Sequence, residues 1–139
     1  MSAALQYNEF YDHVTQTAAQ LEEISGDLYA LESMISCAND IEDLNLFQAH
    51  CRRLEATIYT LHEKIGSWQH SAKNRRSQLQ SSPYKRQLNQ LDKTLVLVGD
   101  YIVKVNKQEE KIMHLQQMML DQKAAFIAVQ HAAQEEETA

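Results

Sequence analysis

Apolar residues recur along most of this chain at alternating steps of three and four. They form three runs, at residues 7–38, 44–79 and 84–129, with two short interruptions between them. A mean spacing of 3.5 residues is typical of helices that pack lengthwise against other helices, because only that spacing keeps an apolar seam facing a neighbour. The pattern predicts an all-α protein of three long helices, each of which needs a helical neighbour.

The two interruptions carry signals for helix ends. Asn39 can adopt the left-handed conformation that closes a helix, and Asn39 or Asp40 can cap the next one. Ser82 followed by Pro83 is a typical helix start. We expect one helical unit over residues 1–139, either an antiparallel hairpin or a three-helix bundle, with the third helix overhanging. The expected helices span residues 3–38, 41–80 and 83–132, and residues 133–139 are expected to form a frayed tail.

Three irregularities interrupt the helical pattern. Gly66 and Gly99 lie inside predicted helices at the same level of a hairpin, so they indicate either a close backbone approach covered by Trp68 or two tolerated surface glycines. Val96 and Val103 widen the third seam, and we expect that stretch to be the most enclosed. The polar residues 106–111 then shift the phase of the seam by one residue, which predicts a local overwinding or a change of partner.

Charge is segregated along the chain. Residues 1–51 contain nine acids and no Lys or Arg, residues 52–93 contain nine bases and three acids, and residues 94–139 contain four bases and seven acids. A hairpin would place the acidic first helix beside the basic second one; alternatively, the acidic helix meets a basic helix of another subunit. The net charge of −6 and the lack of an interleaved aromatic series argue against nucleic-acid binding.

The two cysteines and the absence of export signals point to the cytoplasm. In a hairpin, Cys37 and Cys51 would lie on the order of 12 Å apart, too far for a disulfide within one chain, and Cys51 occupies a seam position. The N-terminus lacks the pattern of a secretory signal, and no apolar stretch reaches the roughly 18 residues of a membrane span. We expect no transmembrane segment and only peripheral membrane association through a complex.

No pattern for catalysis or cofactor binding emerges. The six histidines show no metal-ligand spacing; His62 and His70 share a helical face but are two turns apart. Phosphate loops and nucleophile elbows are missing as well. The sequence therefore predicts a protein that is not an enzyme, without cofactor or metal.

The third run resembles one known family over about 40 residues. The stretch that begins with Pro83 and Tyr84 resembles the final coiled-coil helix of small subunits, of the snapin and cappuccino type, in the complexes for biogenesis and positioning of lysosome-related organelles. Its remaining matching residues are Leu88, Leu91, Leu95, Val96, Val98, Gly99 and Ile102. The resemblance implies a non-enzymatic cytosolic subunit that assembles with other short helical chains on endosomes or lysosomes.

These observations predict an adaptor or assembly subunit that binds helices of other proteins, in a hetero-oligomer rather than a symmetric homodimer. Two alternatives stay open: a small acidic secretion chaperone that shields a partner's amphipathic helix, and a monomeric spacer. The predicted partner-binding residues all belong to the third seam. They are Leu88, Leu91, Leu95, Val98, Ile102, Val105, Ile112, Leu115, Met119 and Phe126.

Overall fold

The computed structural model describes residues 3–79 and 85–138, and they form three α-helices. The helices are α1 (Ala3–Ser36), α2 (Ile41–Leu79) and α3 (Lys85–Thr138). Every pair of helices is in contact, so the chain is a three-helix bundle in which α2 runs antiparallel to α1 and α3. The all-α prediction is confirmed. No described helix is long and apolar enough to cross a bilayer.

The helix boundaries differ from prediction mainly at the end of the chain. Helix α3 continues to Thr138, where fraying from residue 133 was expected. Alanine, glutamine and glutamate are strong helix formers, and their propensity outweighs the unfavourable negative charge at a helix C-terminus. The predicted start at Ser82 and Pro83 lies outside the described residues.

The first turn is closed by side-chain caps. The Asp43 N–H donates to Asp40 Oδ1 at 2.8 Å, which makes Asp40 the N-cap of α2, and the Asn39 N–H donates to Asp43 Oδ2 at 2.9 Å. These bonds satisfy N–H groups that the end of a helix leaves unpaired. The left-handed conformation expected for Asn39 is wrong, since no non-glycine residue among those described has a positive φ.

The seams of the three helices meet in one continuous core. Leu21 of α1, Phe47 of α2 and Ile112 of α3 are almost fully buried. The cluster runs from Val14 to Met119 and includes buried residues of all three helices. Each seam therefore finds its helical neighbour within the chain itself, and burial of these side chains contributes about 1.5–3 kcal/mol each.

The third seam keeps its phase over its whole length. Leu91, Val98, Val105, Ile112 and Met119 are all buried and lie seven residues apart. The second buried position of each heptad holds polar as well as apolar residues, among them buried Thr94 and Gln108 and half-buried Tyr101. The predicted phase shift after residue 105 is therefore wrong. It arose because an apolar pattern passes over polar side chains that are in fact buried.

Gln108 is the most consequential of these polar residues. It is 4% exposed, and its Nε2 donates to the Leu21 carbonyl oxygen at 2.8 Å and lies 3.0 Å from Ser25 Oγ, both on α1. Its Oε1 is buried without a hydrogen-bond partner among the described residues. Such a residue fixes the axial position of one helix against another at some cost in stability.

The two interior glycines do not mark a close contact. A Cβ atom placed on Gly66 or Gly99 would meet no heavy atom within 4 Å, so the alternative of tolerated surface glycines is correct. Trp68 does not cover them; its ring stacks on His13 of α1, with centroids 6.1 Å apart. The expected enclosure around Val103 is also wrong, because this side chain is 54% exposed.

The acidic helix α1 does lie beside the basic helix α2, but the ion pair it forms through Glu32 goes to α3. Glu32 Oε2 lies 3.1 Å from Lys111 Nζ, and both side chains are substantially exposed. Between α2 and α3, Arg76 Nε donates to Asp92 Oδ1 at 2.6 Å. Exposed pairs of this kind contribute about 0–1 kcal/mol and mainly select the arrangement of the helices.

The two cysteines should differ sharply in reactivity. Cys51 is fully buried, and burial, with a smaller contribution from the Glu55 carboxylate, raises its thiol pKa to about 11, whereas Cys37 is exposed. Only the thiolate reacts, so at pH 8 we expect Cys37 to be alkylated fully before Cys51 is labelled, as measured by mass spectrometry of the intact protein. Because the folded state holds the Cys51 proton more tightly, stability should fall as the pH rises from about 9 to 11. Equal labelling of both thiols in the folded protein would contradict this assignment.

Candidate partner-binding surface

Most of the predicted partner-binding residues lie inside the bundle. Six of them are buried: Leu91, Val98, Val105, Ile112, Leu115 and Met119. The other four are half-buried: Leu88, Leu95, Ile102 and Phe126. A partner helix can reach the buried positions only if α3 leaves the bundle, so their role in partner binding stays a prediction.

One apolar surface that the folded chain presents lies on another face of α3. Met113, Leu120 and Ile127 are 66%, 52% and 40% exposed and lie seven residues apart, which keeps them on one flank of the helix. Their flank is the one turned toward α2, because Met113 lines a groove together with α2 residues. Exposed apolar side chains in a row are typical of surfaces that bind other proteins.

That groove runs between α2 and α3 at the middle of the bundle. It has a volume of about 1210 Å³ and extends along α2 from Arg52 to His70, which corresponds to about 27 Å of helix. Buried Ile58 and Ile112 line it. Its dimensions suit one helix rather than a small ligand.

The groove is wide because small residues line it on the α2 side. Ala56, Gly66 and Ser67 leave the backbone of α2 accessible, and a Cβ atom at Gly66 would point into open space. Two large side chains stand beside this region, Tyr59 at 64% exposed and Met113 at 66%. Small residues in the lining let another helix approach closely, and the large exposed side chains beside them provide apolar contacts.

Polar contacts between α2 and α3 hold the groove at a fixed width. His62 Nδ1 lies 2.6 Å from Glu109 Oε1, and the Gln116 amide donates to the Glu55 carboxylate two turns away. Both contacts join side chains that line the groove. In the tautomer with its proton on Nδ1, His62 donates to the Glu109 carboxylate, and this contact joins α2 to α3 beside the groove.

Sequence reasoning missed this surface because it followed the buried seam. Tyr59 and Met113 lie outside the stripe that forms the core, so the seam pattern does not single them out. The signal that could have found them is the second heptad row of α3, in which Met113, Leu120 and Ile127 repeat beside the seam. A second apolar row is what distinguishes a helix with two partners from a helix with one.

No protein-family model, curated protein or solved structure matches the chain.

Proposed function

We propose that this protein is a non-enzymatic helical adaptor or assembly subunit that binds an amphipathic helix of another protein in the groove between α2 and α3. The observation that carries the proposal is the preformed apolar groove lined by Tyr59 and Met113. Helix-in-groove recognition uses apolar anchors at helical spacing, and a groove about five turns long accommodates several of them.

The charges around the groove define the occupant further. Three carboxylates line it, from Glu55, Glu63 and Glu109, against the single guanidinium of Arg52. An occupant with basic residues beside its apolar stripe would complement them, and such complementarity selects the partner and its orientation. The proposed partner is therefore an amphipathic helix with basic flanks.

The place of action is also part of the proposal. The cytoplasm fits a chain with an exposed thiol at Cys37. The resemblance of α3 to the small coiled-coil subunits described above suggests the surface of endosomes or lysosomes as the site of action. There the protein would belong to an elongated complex of helical chains. A secretion chaperone that shields a client helix is the competing function.

Photo-crosslinking tests the groove directly. A photoreactive amino acid replaces Met113 in one variant of this chain and Tyr29 in a second, control variant. Tyr29 is 74% exposed on α1 and distant from the groove. We expect position 113 to crosslink to a helical segment of another protein in cells and position 29 to give no such product. Identical crosslinks from both positions, or none from position 113, would contradict the proposal.

A paired substitution gives the quantitative test. We expect Tyr59→Ala with Met113→Ala to weaken binding of the crosslinked segment, made as a peptide, by about tenfold or more, because both anchors are removed. The circular dichroism melting curve should be nearly unchanged, since both side chains are exposed. A chaperone would instead be a stable dimer by light scattering and would release the peptide to a competing acceptor.

A further inference from the structure

The end of the bundle that contains the α1–α2 turn differs from the rest of the rod. Lys123 Nζ lies 3.2 Å from Asn45 Oδ1, so α3 passes the first residue of α2, Ile41, at about residue 127. Helix α3 continues to Thr138, which leaves about ten residues, or roughly 15 Å, beyond α2. The predicted overhang is thus present.

Helix α1 ends still earlier relative to α3. The bond from Gln108 to the Leu21 carbonyl fixes the alignment of these parallel helices, and it places the end of α1, Ser36, level with about residue 121 of α3. The turn at residues 37–40 follows α1 there, with Ala38 packed against the core, and no described helix continues the line of α1 beyond this turn. The α3 stripe that faces α1 continues past this point.

The continued stripe is apolar and uncovered. Phe126 is half-buried against the core, and Val129, one turn on, is 68% exposed. Ala132 and Ala133 extend the stripe by another turn and are exposed as well. The stripe is on the side of α3 opposite to the flank that carries Met113, so it is separate from the groove.

Charge identifies what could cover this stripe. The segments 26–51 and 116–139, which meet at this end, contain nine acids and one base, whereas the rest of the chain contains ten acids and twelve bases. The C-termini of α1 and α3 and the N-terminus of α2 all lie toward this end, so the helix dipoles add only a small net negative partial charge. The end carries a net charge of −8 on a molecule whose remainder is +2.

A symmetric dimer through this stripe is disfavoured, because two ends of charge −8 would have to meet. An anionic membrane surface would be repelled for the same reason. We propose that this end binds a basic amphipathic helix of another protein, which continues the position of α1 along α3 and packs its apolar side on Phe126, Val129 and Ala133. The site would make the protein bivalent, with the groove as its other docking surface.

Two synthetic peptides of about 18 residues serve as probes. Both carry the same stripe of leucines at heptad spacing; one has lysine and arginine at its flanks, and the other has glutamate. Binding of each fluorescent peptide to the full chain is followed by anisotropy. We expect the basic peptide to bind, the acidic peptide not to bind, and affinity for the basic peptide to fall several-fold between about 50 and 300 mM salt.

Matched valines on α3 locate the site. In the Tyr59→Ala, Met113→Ala protein, whose groove lacks its anchors, we expect Val129→Glu to weaken binding of the basic peptide about tenfold or more. Val96→Glu in the same protein, at a position of similar exposure (65%), should leave the affinity within twofold. The Val129 change makes the end more acidic, so charge alone would strengthen binding, and a loss reports the apolar contact. Both positions are exposed, so both variants should fold.

Other outcomes overturn the inference. Equal effects of the two substitutions, or equal binding of both peptides, would show that no specific site exists at this end. A concentration-dependent dimer that Val129→Glu abolishes would assign the stripe to a second copy. Loss of basic-peptide binding in the Tyr59→Ala, Met113→Ala protein but not in Val129→Glu would place the peptide in the groove, which supports the proposed function and rejects this site.

Discussion

We expect Leu115→Ala to lower the free energy of unfolding by about 3 kcal/mol, and Met113→Ala, two residues away, to change it by no more than about 0.5 kcal/mol. Leu115 is fully buried in the core that all three helices share, whereas Met113 is 66% exposed. Truncating the buried side chain removes its apolar burial and leaves a cavity that close-packed neighbours fill only in part.

Urea unfolding followed by the helical circular dichroism signal measures both changes. A domain of this size is stabilised by about 5–15 kcal/mol in total, so the Leu115 effect should shift the midpoint clearly. The two substitutions also distinguish a role in stability from a role in binding, since Met113→Ala is expected to weaken partner binding without loss of stability. If Met113→Ala destabilised the protein as much as Leu115→Ala does, the inner and outer faces of α3 would be assigned wrongly.

For Gln108, we expect opposite effects from two substitutions. Gln108→Leu should raise the free energy of unfolding by about 1 kcal/mol, because it replaces a buried amide whose Oε1 has no partner by an apolar group of similar size. Gln108→Ala should lower it by about 2 kcal/mol, because a cavity replaces the side chain. The two groups on α1 that lose their contact with the amide keep other hydrogen-bond partners. The Leu21 carbonyl lies within a helix, and Ser25 is exposed to water.

Exposed Gln117 provides the control for this pair. Gln117→Leu should change stability by no more than about 0.5 kcal/mol, because position 117 is on the solvent side of α3. A Gln108→Leu protein less stable than the natural one would mean that the bonds from the amide to α1 contribute more than its burial costs. The expected gain in stability of Gln108→Leu should be accompanied by a less well-defined axial position of α3 against α1. Faster hydrogen exchange along α1 would measure this change.

The sequence predicted the fold well where side-chain burial alone decides it. Leu91, Val98 and Val105 formed a recognisable seam, and Asp40 was correctly placed as a candidate cap. The errors concern positions where packing in three dimensions overrides local character. Gln108 is polar yet buried, and Val103 is apolar yet exposed, because a helix in a bundle buries the face that its neighbours happen to cover.

The candidate surfaces were predictable only in part. Overhang of the third helix follows from helix lengths, and charge segregation is visible in the composition. The groove is not, because it depends on where Tyr59 of α2 and Met113 of α3 come to lie relative to each other. That alignment depends on contacts between helices, such as that of His62 with Glu109, which no pattern within one helix contains.

The parallel arrangement of α1 and α3 has a further consequence for anything attached to this chain. Ala3 is level with about residue 88 of α3, so roughly 50 residues of continuous helix, or about 75 Å, separate it along the rod from Thr138. Two bodies joined to the two termini would be held apart by this distance rather than brought together. The length of the bundle would fix the minimum distance between two such bodies.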